Sequence, residues 1–425
     1  MRARRVDALR RVACVRGRAR RERGKRAVAS ADASTPPRVL VLTGPTAVGK
    51  SACAVAIAER FASCVDGRAS GVSSLTSSSR AVEIVSCDSV QIYRGLDVGS
   101  GKVSARARAR ATHHLLDERD ARSAGDAYDA SAYYDDAVRV LREIHARGNV
   151  ALVVGGAGMY LKWLTDGKPT APASDADSRA AAERAIEDAR ARGGWRAACE
   201  ALTRLGDAET PRTLSENDWY RLTRAYEIFL ASGRAVSTFE RAAPDARFDF
   251  RCFFLSAPRV ELYRKIDVRV EEMMVRGIMD EAAWLLDAGV APGSSIPSRA
   301  IGYRQAMEYL VRARSKEIDV NSGTLLELLR EIQSLNRAYA KRQFTWFRGE
   351  SRYAWIDASA SSEDVARRVL TEFERDEHPA GGAEISDVSK DELNELKRYK
   401  PRLSYLDDAR ALQSVVDRVR ALASS

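Results

Sequence analysis

The sequence predicts an α/β fold, in which a mostly parallel β-sheet is flanked by helices and carries a helical insertion domain. Apolar runs of strand length are separated by stretches of helical period, which is typical of parallel sheets. The runs are Arg38–Thr43, Ala81–Ser86, Val150–Val154, Phe250–Leu255 and Tyr353–Ile356. A glycine loop follows the first run, and a polar, helix-rich segment lies at 174–245.

The glycine loop has the complete G-x-x-x-x-G-K-S pattern of a phosphate-binding loop. It lies between the strand Arg38–Thr43 and a predicted helix over Ala52–Phe61, which is the context that the motif needs. The sheet is therefore predicted to be P-loop NTPase-like, with a diphosphate or polyphosphate bound at the helix N-terminus. We expect Ser51 to hold Mg²⁺ beside the phosphates. The candidate phosphate-binding residues are Gly44, Thr46, Ala47, Val48, Gly49, Lys50 and Ser51.

Composition shifts divide the chain into five parts. Residues 1–37 are arginine-rich and lack apolar periodicity, which predicts an organellar transit peptide for a plastid or a mitochondrion. The α/β core is predicted over 38–173 and 246–375, and the helical insertion over 174–245. Residues 376–425 are predicted to form a charged helical tail. No apolar run reaches the length of a membrane span, so we expect no membrane partner, and we expect a monomer.

The net charge of +10 comes almost entirely from residues 1–37, which hold twelve basic and three acidic side chains. The other residues carry 57 basic and 56 acidic side chains, so an RNA-binding surface must rest on local clusters. Arg221 and Arg224 share a predicted helix face, and cations alternate with aromatic rings over Lys341–Arg348. Either cluster suits RNA phosphates and bases, although a solvated helix face paired with acids is the alternative.

Two strand ends bear on the chemistry. Asp88 follows the second strand, at the edge where α/β sheets place their reactive groups. The strand Val150–Val154 ends in glycines rather than in the acid that a mechanical ATPase often carries.

The six cysteines form no C-x-x-C pair, which disfavours a structural zinc site and favours a reducing compartment.

Several motifs occur in one order: GPTAVGKS, DSVQIYRGLDVGSGK, HHLLD, VVGGAGMYL, NDWYRLTRAYEIF, SRAIGYRQ and AKRQFTWFR. Together they resemble the tRNA dimethylallyltransferase (tRNA isopentenyltransferase) family over about residues 38–357. The resemblance implies transfer of a dimethylallyl group from dimethylallyl diphosphate to N6 of an adenosine. That adenosine lies 3′-adjacent to the anticodon, in the anticodon stem-loop of tRNAs that read codons starting with U.

The resemblance also assigns roles to residues. Asp88 corresponds to the family's general base, and Arg304 to an arginine near the diphosphate. Contacts with the substrate adenosine or with the rest of the tRNA fall on Ser89, Val90, Gln91, Tyr220, Arg221, Arg224, Gly302, Tyr303, Gln305, Lys341, Arg342, Gln343, Trp346 and Arg348.

The chain departs from the family pattern at three places. Ala157 stands where the family usually has a threonine, so a hydroxyl near the reacting centre is missing. The segment Gly99–Val103 keeps a hydroxyl and a lysine of the usual GTAKP-like stretch. The C-terminal zinc finger of many eukaryotic members is absent, which is typical of the bacterial or organellar type.

Three other functions fit part of the pattern. An adenylate isopentenyltransferase of cytokinin synthesis shares the phosphate loop but usually lacks the Lys341–Arg348 type of segment. A P-loop small-molecule kinase would bind ATP, and a non-catalytic RNA-binding protein would explain Ala157 as a mark of lost activity.

The leader generates the first prediction. Residues 1–37 fused to a fluorescent reporter should carry it into an organelle, because an arginine-rich, acid-poor segment without apolar periodicity is typical of targeting sequences. Fluorescence microscopy checks this. A diffuse cytosolic and nuclear signal would favour the alternative, a disordered basic arm that touches RNA.

Overall fold

The computed structural model describes residues 35–65, 81–123, 128–172, 175–240, 243–377 and 390–424. The predicted transit peptide therefore lies almost entirely outside the described residues. Eight strands occur in the described part of the chain: β1 (Arg38–Thr43), β2 (Val82–Cys87), β3 (Tyr93–Arg94), β4 (His113–His114), β5 (Arg119–Asp120), β6 (Val150–Gly155), β7 (Asp249–Ser256) and β8 (Tyr353–Asp357).

Six of these strands form one parallel sheet in the order β4-β2-β6-β1-β7-β8. Strand β1 is central, with Val41 opposite Val153 of β6 and Cys252 of β7. The central strands are almost wholly buried, which explains their continuous runs of apolar residues. The predicted α/β fold and all five predicted strands are confirmed, and the short strands β3, β4 and β5 were missed.

The helices of the described residues connect and cover these strands. Their bounds are α1 (Lys50–Val65), α2 (Ala105–Arg108), α3 (Ala130–Ala146), α4 (Gly158–Asp166), α5 (Ala176–Leu205), α6 (Thr210–Thr213), α7 (Trp219–Ser232), α8 (Arg259–Arg276), α9 (Ile278–Asp287), α10 (Ile296–Arg299), α11 (Tyr303–Arg314), α12 (Ser322–Arg348), α13 (Ser362–Glu374), α14 (Lys390–Arg398) and α15 (Ala409–Ser424).

Helices α5 to α7 form the predicted insertion and have a small hydrophobic core of their own. Leu202, Leu222 and Tyr226 are buried in it, apart from the main core around the sheet. Helix α5 is interrupted at Gly193–Gly194, where Gly194 has φ 64° and ψ −147°, a conformation open essentially to glycine. The insertion is therefore a compact helical unit placed between β6 and β7 in the chain.

The C-terminal segment packs on the core and is not a free tail. Val415, Val416 and Val419 of α15 are buried within the main hydrophobic cluster. The apolar i, i+1, i+4 spacing of these valines is the helical signal for burial of one face. No helix among the described residues is both long and apolar enough to span a membrane.

Candidate active site

The parallel register brings three strand ends to one edge of the sheet. Strands β2, β6 and β1 are neighbours, and they end at Cys87, Gly155 and Thr43. A cavity of about 690 Å³ opens at this edge, and α8 and α12 complete its walls. Cavities at the carboxyl ends of parallel strands are the usual ligand sites of α/β proteins.

The phosphate loop forms one wall of the cavity. Gly44 and Gly49 have φ of 150° and 102°, and Ala47 adopts a left-handed φ of 64° that strains a residue with a side chain. Five of the seven predicted loop residues line the cavity: Thr46, Ala47, Gly49, Lys50 and Ser51. Gly44 and Val48 do not, because Gly44 packs beneath the loop against Leu255 and Val48 is buried in the core.

Lys50 lies over this loop at the first residue of α1. Its Nζ donates to the carbonyl oxygens of Gly44 and Pro45, at 2.8 Å each. Burial and the nearby Arg269 lower the pKa of Lys50 to about 7, against a smaller opposing effect of Asp88. Among the described residues, no carboxylate contacts the Lys50 ammonium directly, and an anion bound in the loop would favour its charged form.

Asp88 faces the cavity from the end of β2. Its Oδ1 accepts the backbone N–H groups of Val90 and Gln91 at 2.8 and 3.2 Å, which fixes the carboxylate. Among the described residues, its Oδ2 has no hydrogen-bond partner. Ser89, Val90 and Gln91, for which contacts with the adenosine were predicted, also line the cavity. A fixed carboxylate with one unpartnered oxygen can accept a proton from a bound substrate.

Gln343 of α12 links the phosphate loop to the glycine segment after β6. Its Oε1 accepts Thr46 N–H at 2.9 Å, and its Nε2 donates to the Gly156 carbonyl at 3.1 Å. A Cβ on Gly156 would lie 2.5 Å from that Nε2, and one on Gly158 would lie 2.8 Å from Trp346 Nε1. Gln343 is thus buried and engaged in contacts within the site, on the cavity lining and not on the outer surface, and its predicted contact with tRNA stays a prediction. Trp346 packs on the same segment and is half-buried.

The start of α11 is also internal. Gly302 is buried, Gln305 Oε1 accepts Gly302 N–H at 2.9 Å, and Tyr303 is fully buried with its hydroxyl donating to Glu281. These three residues were predicted to grip tRNA. The structure places them at the start of a packed helix, where Tyr303 is buried on the cavity lining and Gln305 is half-buried, and their predicted role in binding tRNA stays a prediction.

The arginine of the cavity is not the one predicted. The Arg304 side chain is 54% exposed and pairs with Glu308 at 2.7 Å on the outer face of α11, away from the cavity lining. Arg269 and Arg299 line the cavity instead. Arg269 has no ion pair or hydrogen bond among the described residues, although burial lowers its pKa. Its sequence signal was weak, namely the i, i+4 spacing of Lys265 and Arg269 on a predicted helix.

The two predicted basic clusters differ in how exposed their side chains are and in whether acidic side chains pair with them. Arg224 is half-buried, pairs with Glu227 at 2.8 Å and donates to the Pro172 carbonyl at 2.6 Å, so its role is structural. Arg221 pairs with Asp218 at 3.3 Å but stays exposed, and the neighbouring Tyr220 is 77% exposed. Lys341, Arg342 and Arg348 are exposed, without an acidic partner among the described residues. Arg342 also borders the cavity.

Ala157 stands where the family usually has a threonine, and it supplies no hydroxyl to the site. Ala157 caps α4 without a side-chain hydrogen bond, and it is not among the residues that line the cavity. A hydroxyl from α12 contacts the neighbouring residue: Tyr339 OH donates to the Gly156 carbonyl at 3.3 Å.

The donor set fits a Mg²⁺ that is shared with a phosphate ligand. Ser51 contributes a hydroxyl to the cavity beside the phosphate loop, and phosphate oxygens and waters would supply the remaining ligands. The described residues contain no group of three or more His, Cys, Asp or Glu side chains suited to a metal. Mg²⁺ commonly takes one or two protein oxygens and completes its shell with phosphates and waters, so this sparse set suits it.

Comparisons with known proteins agree with this geometry. A family model described as IPP transferase matches residues 91–350. The protein tRNA dimethylallyltransferase 9 of Arabidopsis thaliana is 35% identical over 91% of this chain and 87% of its own length. A tRNA dimethylallyltransferase of Protochlamydia amoebophila is also 35% identical, over 79% of this chain and 89% of its own.

Solved structures show the same fold. The tRNA isopentenylpyrophosphate transferase of Bacillus halodurans has a TM-score of 0.52 and 27% identity, covering 79% of this chain and 94% of its own. A eukaryotic dimethylallyltransferase acting on tRNA has a TM-score of 0.61 over 90% of this chain and 85% of its own, and at 19% identity it supports the fold alone. The family resemblance is confirmed, and the chain belongs to the IPP transferase family, that of the tRNA dimethylallyltransferases.

Proposed function

We propose that this protein transfers a dimethylallyl group from dimethylallyl diphosphate to N6 of the adenosine 3′-adjacent to the anticodon, in tRNAs that read codons starting with U. One arrangement carries the proposal: a phosphate loop and a carboxylate with an unpartnered oxygen share a single cavity. The relatives named tRNA dimethylallyltransferase support tRNA as the acceptor over AMP, and prenyl transfer over phosphoryl transfer.

The diphosphate end of the donor fits the phosphate loop. As the C1–O bond breaks, the diphosphate leaves with the electron pair and its negative charge grows. The loop N–H groups and Lys50 stabilise that charge, and Arg269 and Arg299 supply further cations at the cavity wall. Among the described residues, Arg269 makes no ion pair or hydrogen bond, so its guanidinium N–H groups are available to the diphosphate.

The carboxylate fits the acceptor. The N6 amine of adenine is a weak nucleophile, since its lone pair is delocalised into the ring. Asp88 Oδ2 accepts one N6 proton as the N6–C1 bond forms, so the product amine is neutral. The backbone N–H groups on Oδ1 fix the carboxylate orientation, and Gln91 is held beside it for the adenine edge. The adenosine must leave its base stack to enter this cavity.

A Mg²⁺ ion would be held by Ser51 and the diphosphate, with Asp88 close by, and it would supply additional positive charge to the leaving group. The tRNA would lie across Lys341, Arg342 and Arg348, with Tyr220 and Arg221 of the insertion as a second contact. The enzyme is proposed to act as a monomer in an organelle, with residues 1–37 as its transit peptide.

One incubation tests the function directly. Protein lacking residues 1–37, given labelled dimethylallyl diphosphate, should label unmodified tRNA at N6 of that adenosine and leave AMP unlabelled. Label in AMP alone would indicate cytokinin synthesis. No transfer to either, together with preferential ATP binding, would indicate a kinase.

The proposed general base, Asp88, leads to a separate prediction. Asp88→Asn should slow transfer by roughly 10²–10⁴-fold, because an amide cannot take the N6 proton. Affinity for tRNA should stay near wild type, since no phosphate contact is removed. Single-turnover kinetics and filter binding measure the two effects, and unchanged turnover would remove Asp88 from the mechanism.

The two arginines can be separated by matched substitutions. Arg269→Ala should lower kcat/KM for dimethylallyl diphosphate by roughly 10²–10³-fold, because it removes a cation at the leaving group. Arg304→Ala should cost far less, since Arg304 pairs with Glu308 on an exposed helix face. A larger loss in Arg304→Ala than in Arg269→Ala would restore the assignment suggested by the sequence resemblance.

The lowered pKa of Lys50 predicts proton uptake on binding. In the free site Lys50 is largely neutral above its pKa of about 7, whereas a bound diphosphate favours the ammonium. Affinity for inorganic diphosphate should therefore fall as the pH rises above about 7. At pH 8.5, calorimetry in two buffers of different ionisation enthalpy should show uptake of close to one proton. Lys50→Met should abolish that uptake, and uptake that persists in this variant would assign it to another group.

A further inference from the structure

One carboxylate holds the loop Asp97–Gly101, which forms a wall of the cavity. Glu281 Oε1 accepts the N–H groups of Asp97 and Val98 at 2.8 and 2.7 Å. Its Oε2 accepts the N–H of Gly99 at 3.0 Å and the hydroxyl of Tyr303 at 2.6 Å. All four donors converge on a side chain from another element, so the loop conformation depends on Glu281.

Tyr303 completes this arrangement, which we call the Glu281 clamp (Glu281, Tyr303 and the loop Asp97–Gly101). Its hydroxyl donates to Glu281 and accepts Ser100 N–H at 3.1 Å. Burial, with the adjacent Glu281 carboxylate, raises the pKa of Tyr303, so the hydroxyl keeps the proton that it donates. Glu281 lies in the first turn of α9, where the helix dipole favours a negative charge.

The clamped loop touches both sides of the reacting centre. The Ser100 carbonyl accepts Gln91 Nε2 at 3.1 Å, which fixes the side chain proposed to face the adenine. Gly101, with φ 62°, lies against Arg269, and a Cβ at Gly101 would be 1.9 Å from the Arg269 Nη2 atom. A displacement of this loop would therefore move Gln91 and Arg269 together.

Lys102 anchors the far end of the loop and also bonds to Asp97 at its start. Lys102 Nζ donates to the Tyr93 carbonyl at 2.5 Å and to carboxylate oxygens of Asp97 and Asp117 at 2.8 and 2.5 Å. Its side chain is only 1% exposed and its ammonium is engaged with these oxygens, so it anchors the loop at the cavity wall. The Glu281 clamp thus controls the part of the loop before this anchor, where the contacts with Gln91 and Arg269 lie.

We propose that Glu281 and Tyr303 are positioning residues for the transfer reaction, holding Asp97–Gly101 so that Gln91 and Arg269 are aligned on the acceptor and donor sides. This inference rests on the proposed function for its effect on rate. The clamp itself can be measured without tRNA, through the exchange of loop amides and through diphosphate affinity.

Glu281→Gln is the direct test, because the amide nitrogen of glutamine cannot accept the donors that one carboxylate oxygen accepts. Amide exchange at Asp97, Val98 and Gly99 should speed up by roughly fivefold or more, the effect of losing about one hydrogen bond. The single-turnover transfer rate should fall by roughly 10- to 100-fold, since misplaced groups cost that much without direct contact with the chemistry. Affinity for inorganic diphosphate should also fall, through Arg269.

Tyr303→Phe is the milder variant, since it keeps the three backbone hydrogen bonds to Glu281. It should slow single-turnover transfer in the same direction. The double variant should lose no more than Glu281→Gln alone, because both changes act through one loop. Asp287→Asn is the matched control: it changes a carboxylate of the same helix that pairs with Arg314 outside the clamp, and it should leave rate and exchange unchanged.

The outcomes distinguish failure of the Glu281 clamp from failure of the proposed function. Unchanged loop exchange in Glu281→Gln, or faster exchange with wild-type rate and diphosphate affinity, would overturn the clamp. A lowered melting temperature with an unchanged single-turnover rate would reduce Glu281 to a structural residue and also overturn it. If the wild type transfers nothing to tRNA, the proposed function fails, and loop exchange with diphosphate affinity still decides whether Glu281 positions Arg269.

Discussion

The site depends on one buried amide, that of Gln343. It bridges the phosphate loop and the glycine segment after β6, with its oxygen on Thr46 N–H and its nitrogen on the Gly156 carbonyl. An amide suits this place because it satisfies a donor and an acceptor together, and because it adds no negative charge beside a diphosphate. Gly156 must lack a side chain for the bridge to form. The position of α12 and the shape of the loop are thereby fixed together.

Paired and unpaired cations are distributed differently over the described part of the protein. The body of the protein is close to neutral, and many of its arginines pair with neighbouring acids, as Arg221 and Arg304 do. At the cavity, Arg269 and Arg342 lack an acidic partner among the described residues. A desolvated cation without a partner is unfavourable in the free protein, and an anionic ligand relieves that cost. Local charge therefore favours binding of an anion without a large net charge.

The C-terminal segment packs on the side of α8 that faces away from the cavity. Glu271 of α8 is fully buried, and its carboxylate accepts the N–H groups of Ser404, Tyr405 and Leu406. Tyr399 OH donates to Asp267, which also lies on α8, at 2.6 Å. On this helix, Asp267 and Glu271 lie roughly opposite Lys265 and Arg269, which face the cavity. The segment beyond α13 thus packs on the rear of the helix that carries the cavity cations.

The sequence by itself determined the strands, the phosphate loop, the place of Asp88 and the helical insertion, because periodicity and glycine spacing are local properties of the chain. Only the tertiary structure decided which charged groups face the cavity. The sequence resemblance pointed to Arg304, but that side chain pairs with Glu308, whereas Arg269 lacks an ion pair among the described residues. Tyr303 and Gln343 likewise became internal bridges through partners about 200 and 300 residues away. Such partners are brought together by packing, which no local pattern encodes.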